Sequence, residues 1–217
     1  MLKILLGDMN AQKKMITDMS AKALKAKSRQ LLIVVPAQAT FLLNRQIIED
    51  CHVPGYMHVR PITFEKLTQE LLSREGGRAK KSISTEGLSL MCADAIKRTG
   101  VDLDVKKDSE IHIKSASFIR TLMQEGITPE RTEELAEKLG GTLGLKLKAI
   151  AKIYENVSER LENNPSQADL ELIAKENAEK SEYIKNSDIA IYRFDVFPKR
   201  RLEFIYSMAK VTDLSIL

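Results

Sequence analysis

Tryptophan is absent from the 217-residue chain, and phenylalanine and tyrosine together make up only 5% of it. A surface that stacks nucleobases therefore has few rings to draw on. Only two cysteines occur, Cys51 and Cys92, far apart and outside any Cys-x-x-Cys pattern. That argues against a disulfide scaffold and against a four-ligand structural zinc site. Cys51, His52 and His58 would supply three ligands, but their spacing matches no recurrent zinc pattern, and a loop and strand edge beside Pro54-Gly55 is the plainer reading. No apolar run approaches the roughly 18 residues of a membrane helix, and Met1 to Gly7 is too short for a signal peptide. A soluble, cytoplasmic protein with no membrane partner is expected. Charge of one sign is also missing: 34 basic side chains face 30 acidic ones, for a net +4. Strong nonspecific attraction to nucleic acid is not expected from so small an excess. With 43% hydrophobic residues, the chain has enough apolar surface to bury a core and is not expected to be disordered.

What is present falls into two patterns. The first 60 residues alternate strand and helix. Lys3-Ile4-Leu5-Leu6 is a short apolar run that stops at Gly7-Asp8, and Met15, Ile16, Met19, Ala23 and Leu24 then recur at helical spacing. Leu31 to Val35 is apolar on both faces, as a central parallel strand requires, and Pro36 ends it. Thr40 to Glu49 reads as helix, and Tyr56 to Arg60 as a strand that stops before Pro61. From Thr63 the pattern is helical for more than a hundred residues. Thr63 is placed to cap one helix, with Phe64, Leu67, Leu71 and Leu72 on its apolar face and Gly76-Gly77 at its end. Further helices are expected over Ser84–Lys97, Ser109–Glu125, from Pro129 with Thr128 as cap, over Leu143–Leu161, and after Ser166 with Asp169 closing a capping box. A strand returns at Ile189 to Tyr192, a helix at Lys199 to Met208, and a strand-like stretch at Val211 to Leu217. The expected architecture is an α/β core built from residues 1–75 and 185–217, with a helical insertion over 76–184. A chain that stops inside an apparent strand reads as a piece of something longer.

The turn after the first strand is the place for a phosphate loop. Gly7 and Lys13 hold the Walker spacing, but Asn10 and Gln12 replace the later glycines, Lys14 replaces the magnesium-binding hydroxyl, and Asp8 brings the wrong charge. An ordinary strand–turn–helix connection is the better reading. Asp169 and Glu171, near Lys175, suggest a carboxylate–metal nuclease until helical geometry is applied. Residues two apart on a helix point away from each other. Taken alone, the chain shows no catalytic centre. Gln38 and Thr40 follow the carboxyl end of a buried strand, where α/β sheets place ligands. If that loop is extended, the amide and the hydroxyl project together toward a base edge. Alternatively Thr40 caps the next helix and Gln38 is solvated.

These residues also carry a resemblance. Val35-Pro36-x-Gln38-x-Thr40-Phe41, then Val59, Phe64, Leu67, Leu71-Leu72 and Gly76-Gly77, resembles the amino-terminal part of the B subunit of the bacterial ATP-dependent helicase/deoxyribonuclease (AddB, also called RexB). The similarity continues through Gln124 to Pro129, Leu147 to Tyr154, and Ile191-Tyr192-x-Phe194-x-x-Phe197, in order along nearly the whole chain. The resemblance implies a P-loop helicase-like parallel sheet core with a large helical insertion. It also implies a role in processing double-strand DNA ends for recombinational repair, with the A subunit as motor-bearing partner. The family's ATP/Mg site is degraded in this chain, and its nuclease domain and iron–sulfur cluster fall outside it, so no cofactor and no ATP hydrolysis are expected. Single-stranded DNA is the implied ligand. Gln38, Thr40, Phe64, Lys66, Gln69 and Phe197 match the family's DNA-contacting positions. Lys66 stands in place of arginine, Gln69 in place of a large aromatic, and Arg193 in place of the glycine of a Gly-Phe-x-x-Phe pattern. Arg60, Lys66, Lys80 and Lys81 are further candidates for phosphate contacts. The other reading is an inactive P-loop-like module whose role is docking to the A subunit.

Overall fold

The computed structural model of the chain describes residues 1–75, 82–101, 103, 110–161 and 164–217. In chain order the elements are β1 (Leu2–Ile4), α1 (Met9–Ala26), β2 (Gln30–Val34), a 3-10 turn (Ala37–Ala39), α2 (Thr40–Cys51), β3 (Val59–Ile62) and α3 (Phe64–Arg74). Helices α4 (Thr85–Thr99), α5 (Ile111–Gln124), α6 (Pro129–Leu139), α7 (Gly141–Leu161), α8 (Gln167–Ala178) and α9 (Glu182–Lys185) follow. The chain closes with β4 (Ser187–Ile191), α10 (Lys199–Ala209) and β5 (Leu214–Ile216). It divides into two compact units. One comprises Met1–Ala79, Glu171–Phe197 and Leu202–Leu217, and the other Lys80–Leu170 and Pro198–Arg201.

In the first unit the five strands form one sheet in the order β1-β5-β4-β2-β3, and every pairing is parallel. This is the α/β architecture that the strand–helix alternation predicts. Buried side chains alternate across the sheet. Leu31, Ile33, Val35, Ala190 and Tyr192 share a core with Ile16 of α1 and with Leu43 and Ile47 of α2. The intervening Leu32, Val34, Ile189 and Ile191 are equally buried, so the central strands are covered on both faces, as parallel strands require. Strand β3 runs through Pro61 instead of stopping before it. Because β3 lies at the sheet edge, the hydrogen-bond donor that proline lacks is not needed there. The opposite edge, β1, leaves Leu2 and Ile4 exposed.

The second unit is helical. Leu88, Cys92, Ile96, Ile119, Leu122, Ile153 and Val157 form its core, drawn from α4, α5 and α7. The caps follow the sequence pattern. Ser84 Oγ accepts from Gly87 N, Thr128 Oγ1 accepts from Arg131 N, and Ser166 and Asp169 exchange hydrogen bonds as a capping box. The expected stop at Gly76-Gly77 and the expected start of a helix at Ser109 lie outside the described residues. Tyr154 anchors α7 by donating to the carbonyl of Ile127 at 3.1 Å. Burial pushes the pKa of its phenol up to about 12, and that of the Cys92 thiol likewise to about 12.

Helices α6 and α7 approach each other closely at Gly144. A Cβ added there would lie 2.5 Å from the carbonyl oxygen of Ala136, inside contact distance of rigid backbone. Gly144→Ala is therefore expected to destabilise the chain by about 1–3 kcal/mol, despite alanine's better helix propensity. Urea unfolding followed by circular dichroism would measure it, and an unchanged or higher midpoint would disprove the close approach.

Candidate nucleic-acid interface

Because all strands are parallel, their carboxyl ends lie along one edge of the sheet. The connection from β2 through α2 leads outward to β3, and that from β4 through α10 leads the other way to β5. The crevice between the ends of β2 and β4 is thus the topological switch point, the place where open α/β sheets bind ligands. Gln38, Thr40, Phe64, Lys66, Gln69 and Phe197 all belong to segments that follow β2, β3 or β4.

Their arrangement differs in several respects from a reading by spacing. The segment after β2 is a 3-10 turn and not an extended loop, so Gln38 and Thr40 are not aligned as strand neighbours two apart. Gln38 is exposed. Thr40 is half-buried and donates its hydroxyl proton to the carbonyl of Ala37 at 2.7 Å. It is the first residue of α2 and not its cap, a position taken by Ala39 with no side-chain hydrogen bond. Phe64 is 3% exposed, so its ring face is closed to a base. It packs edge-to-face on Phe194, with ring centroids 5.2 Å apart and an interplanar angle of 65°. Phe194 in turn lies 5.8 Å from Phe197. The three rings join the segments after β3 and β4, strands that flank β2. Thr63 caps α3 by accepting from Lys66 N, which leaves the Lys66 side chain exposed on the first turn. Gln69 is half-buried and donates to Glu65 at 3.4 Å.

An exposed aromatic is nevertheless present. Phe41, in the first turn of α2 beside Gln38 and Thr40, is 74% exposed. Its place in the Gln-x-Thr-Phe run was legible, but helical periodicity gives no sign that its ring is left in solvent.

Arg60 is not free for phosphate. Its guanidinium forks onto Glu70, with Nη1 and Nη2 donating to the two carboxylate oxygens at 3.0 and 2.7 Å. Tyr183 donates a third bond to Glu70 at 3.0 Å, and Arg74 lies 4.2 Å over the Tyr183 ring. Lys80 and Lys81 lie outside the described residues. At the turn after β1, Asp8 accepts from Ala11 N at 2.8 Å, and Gln12 folds back to donate to the carbonyl of Gly7 at 3.2 Å. The helix end where a phosphate would sit therefore already holds the chain's own carboxylate. Lys13 points instead toward Asp50, 3.8 Å away. No group of three or more His, Cys, Asp or Glu side chains suited to a metal occurs among the described residues. Asp169 serves its capping box, and Glu171 is buried. No helix among the described residues is long and apolar enough to cross a membrane.

A family model described as ADDB, N-terminal matches residues 7–216. The chain belongs to that family. The B subunit of the ATP-dependent helicase/deoxyribonuclease of Clostridioides difficile (strain 630) is 26% identical over 95% of this chain and 19% of its own length. The proteins of the same name from Listeria innocua serovar 6a and Staphylococcus carnosus (strain TM300) are each 24% identical, over 91% and 86% of this chain. The chain spans about a fifth of the length of these curated relatives. Arg193, which stands where the resemblance implies a glycine, has φ +66°, a backbone conformation that favours glycine.

The Glu70 network gives a pH signature. Burial raises the carboxyl's pKa, but the hydrogen bonds from Arg60 and Tyr183 outweigh it and hold the group below the ordinary range. Its stabilising contribution is thus complete above the unfolded pKa of about 4.3 and is lost as pH falls through the lower folded value. Glu70→Gln should cost roughly 2 kcal/mol at pH 7 and flatten the loss of stability below pH 5. Denaturant midpoints across pH 3–7 would check both, and parallel wild-type and variant curves would contradict the assignment.

Proposed function

We propose that this chain is the amino-terminal, helicase-like domain of the B subunit of an ATP-dependent helicase/deoxyribonuclease. It binds single-stranded DNA along the carboxyl edge of its sheet during the processing of double-strand break ends for recombinational repair. The observation that carries the reading is the exposed Phe41 ring beside Gln38 at the end of β2, which offers a stacking face and an amide on one turn. Lys66 supplies charge from the next strand end. Phe64, Phe194 and Phe197 act as the packed support that holds the strand-end segments in place, and Phe41 as the stacking ring. The turn at Gly7 and Lys13 does not fit a magnesium–nucleotide, since Asp8 opposes the phosphates and Lys14 replaces the metal-binding hydroxyl. The domain accordingly works without hydrolysing ATP, and energy comes from the A subunit.

A second reading rests on a different surface. Strand β1 leaves Leu2 and Ile4 exposed, and Leu6 and Met9 beside it are exposed as well, which suits docking to the A subunit.

Fluorescence anisotropy of a labelled single strand across a salt series separates the two. Binding by the wild-type chain that weakens with salt, and about tenfold on Phe41→Ala, is the expected result. Absence of binding at low salt, restored only when the A subunit is added, would replace the first reading with the second. A nucleotide titration of the same protein is expected to give no signal.

A further inference from the structure

We propose that the crevice between the ends of β2 and β4 contains a seat for a single phosphate group. The crevice holds a small cavity of about 70 Å³, lined by Val35, Ala39, Leu42 and Leu43 and by three residues with polar side chains, Gln46, Tyr192 and Arg193. Tyr192 is 1% exposed, and its buried hydroxyl has no hydrogen-bond partner among the described residues. A buried hydroxyl left unpaired is costly, and native proteins seldom keep one without a ligand or water to satisfy it. Gln46 offers its amide from α2, engaged only by a long 3.5 Å bond to Thr17. Arg193 holds its guanidinium 5.3 Å from the Tyr192 ring centroid and forms no ion pair among the described residues. It also sits at φ +66°, a backbone conformation that favours glycine.

The lining includes three residues whose side chains can donate and, among the described residues, no carboxylate, so the fitting ligand is an anionic acceptor. At about 70 Å³ the cavity is small, a better match for a compact group such as phosphate than for a base or a whole nucleotide. The proposal deepens the single-strand reading and rests on it for the natural source of the phosphate, a backbone phosphodiester. Free phosphate has the same chemistry.

The test uses the 217-residue chain, Tyr192→Phe and Arg193→Gly, with thermal unfolding in sodium phosphate and in sodium chloride at matched ionic strength. Phenylalanine preserves the packing and glycine suits the backbone, so both variants fold. Wild type should gain roughly 5 °C in phosphate about a hundredfold above Kd, and each variant much less. No gain in wild type, or an equal gain in all three, overturns the seat. A second arm measures binding of single-stranded DNA. Weaker binding by Tyr192→Phe, and by Arg193→Gly with a salt slope smaller by about one, supports the phosphodiester as the source. Unchanged DNA binding with the thermal gain lost supports free phosphate instead. A thermal gain in a wild type that binds no DNA would sink the single-strand reading while leaving the seat in place.

Discussion

Parallel pairing is the constraint on which the rest of the molecule depends. Neighbouring strands that run the same way must each be joined by a crossover, and each crossover lays a helix on a face of the sheet. Two results follow together. Leu31 to Val35 and Ile189 to Tyr192 are buried on both faces, and every strand delivers its following segment to the same edge. The strand-end segments at Pro36, Thr63 and Arg193 are widely separated in the chain. They become neighbours because β3, β2 and β4 are adjacent in the sheet.

Much of this was legible because it rests on local rules. The unbroken apolar run at Leu31 to Val35 marks a central parallel strand, and the caps at Thr63, Thr128 and Ser166 mark helix starts from hydroxyl chemistry alone. The parts that were not legible depend on tertiary neighbours. Pro61 reads as a stop unless β3 is known to be an edge. The turn at Ala37 to Ala39 reads equally well as extended, since nothing in Ala-Gln-Ala fixes its backbone. Arg60 reads as a free cation because its partners, Glu70 and Tyr183, are identified only once α3 and α9 are placed; Tyr183 and Glu70 are 113 residues apart.

The aromatics show the same division. Spacing and resemblance single out Phe64 and Phe197, and the fold does bring them together through Phe194. It gives Phe64 a supporting role, because a ring that is edge-on to another and closed to solvent has no face left to offer. Phe41 is one residue past a helix start, where neither burial nor exposure can be inferred from period. In a chain with no tryptophan, Phe41 puts an exposed ring at the sheet edge.

The pairing of β2 with β4 also bears on how the chain reaches this state. Arg29 donates to the carbonyl of Lys185, 156 residues away, and the register of the two strands opens one and two residues further on, at Gln30 and Ser187. Closing a loop of that size from an unfolded chain is slow, because the entropy is lost before any contact rewards it. Helices α4 to α7 lie within that loop and make mostly local contacts, which form fast. A helical segment that collapses first shortens the effective distance between Gln30 and Ser187. The strand that closes this pairing, β4, is also made after those helices, so the first three strands have no central partner until the helical segment is complete.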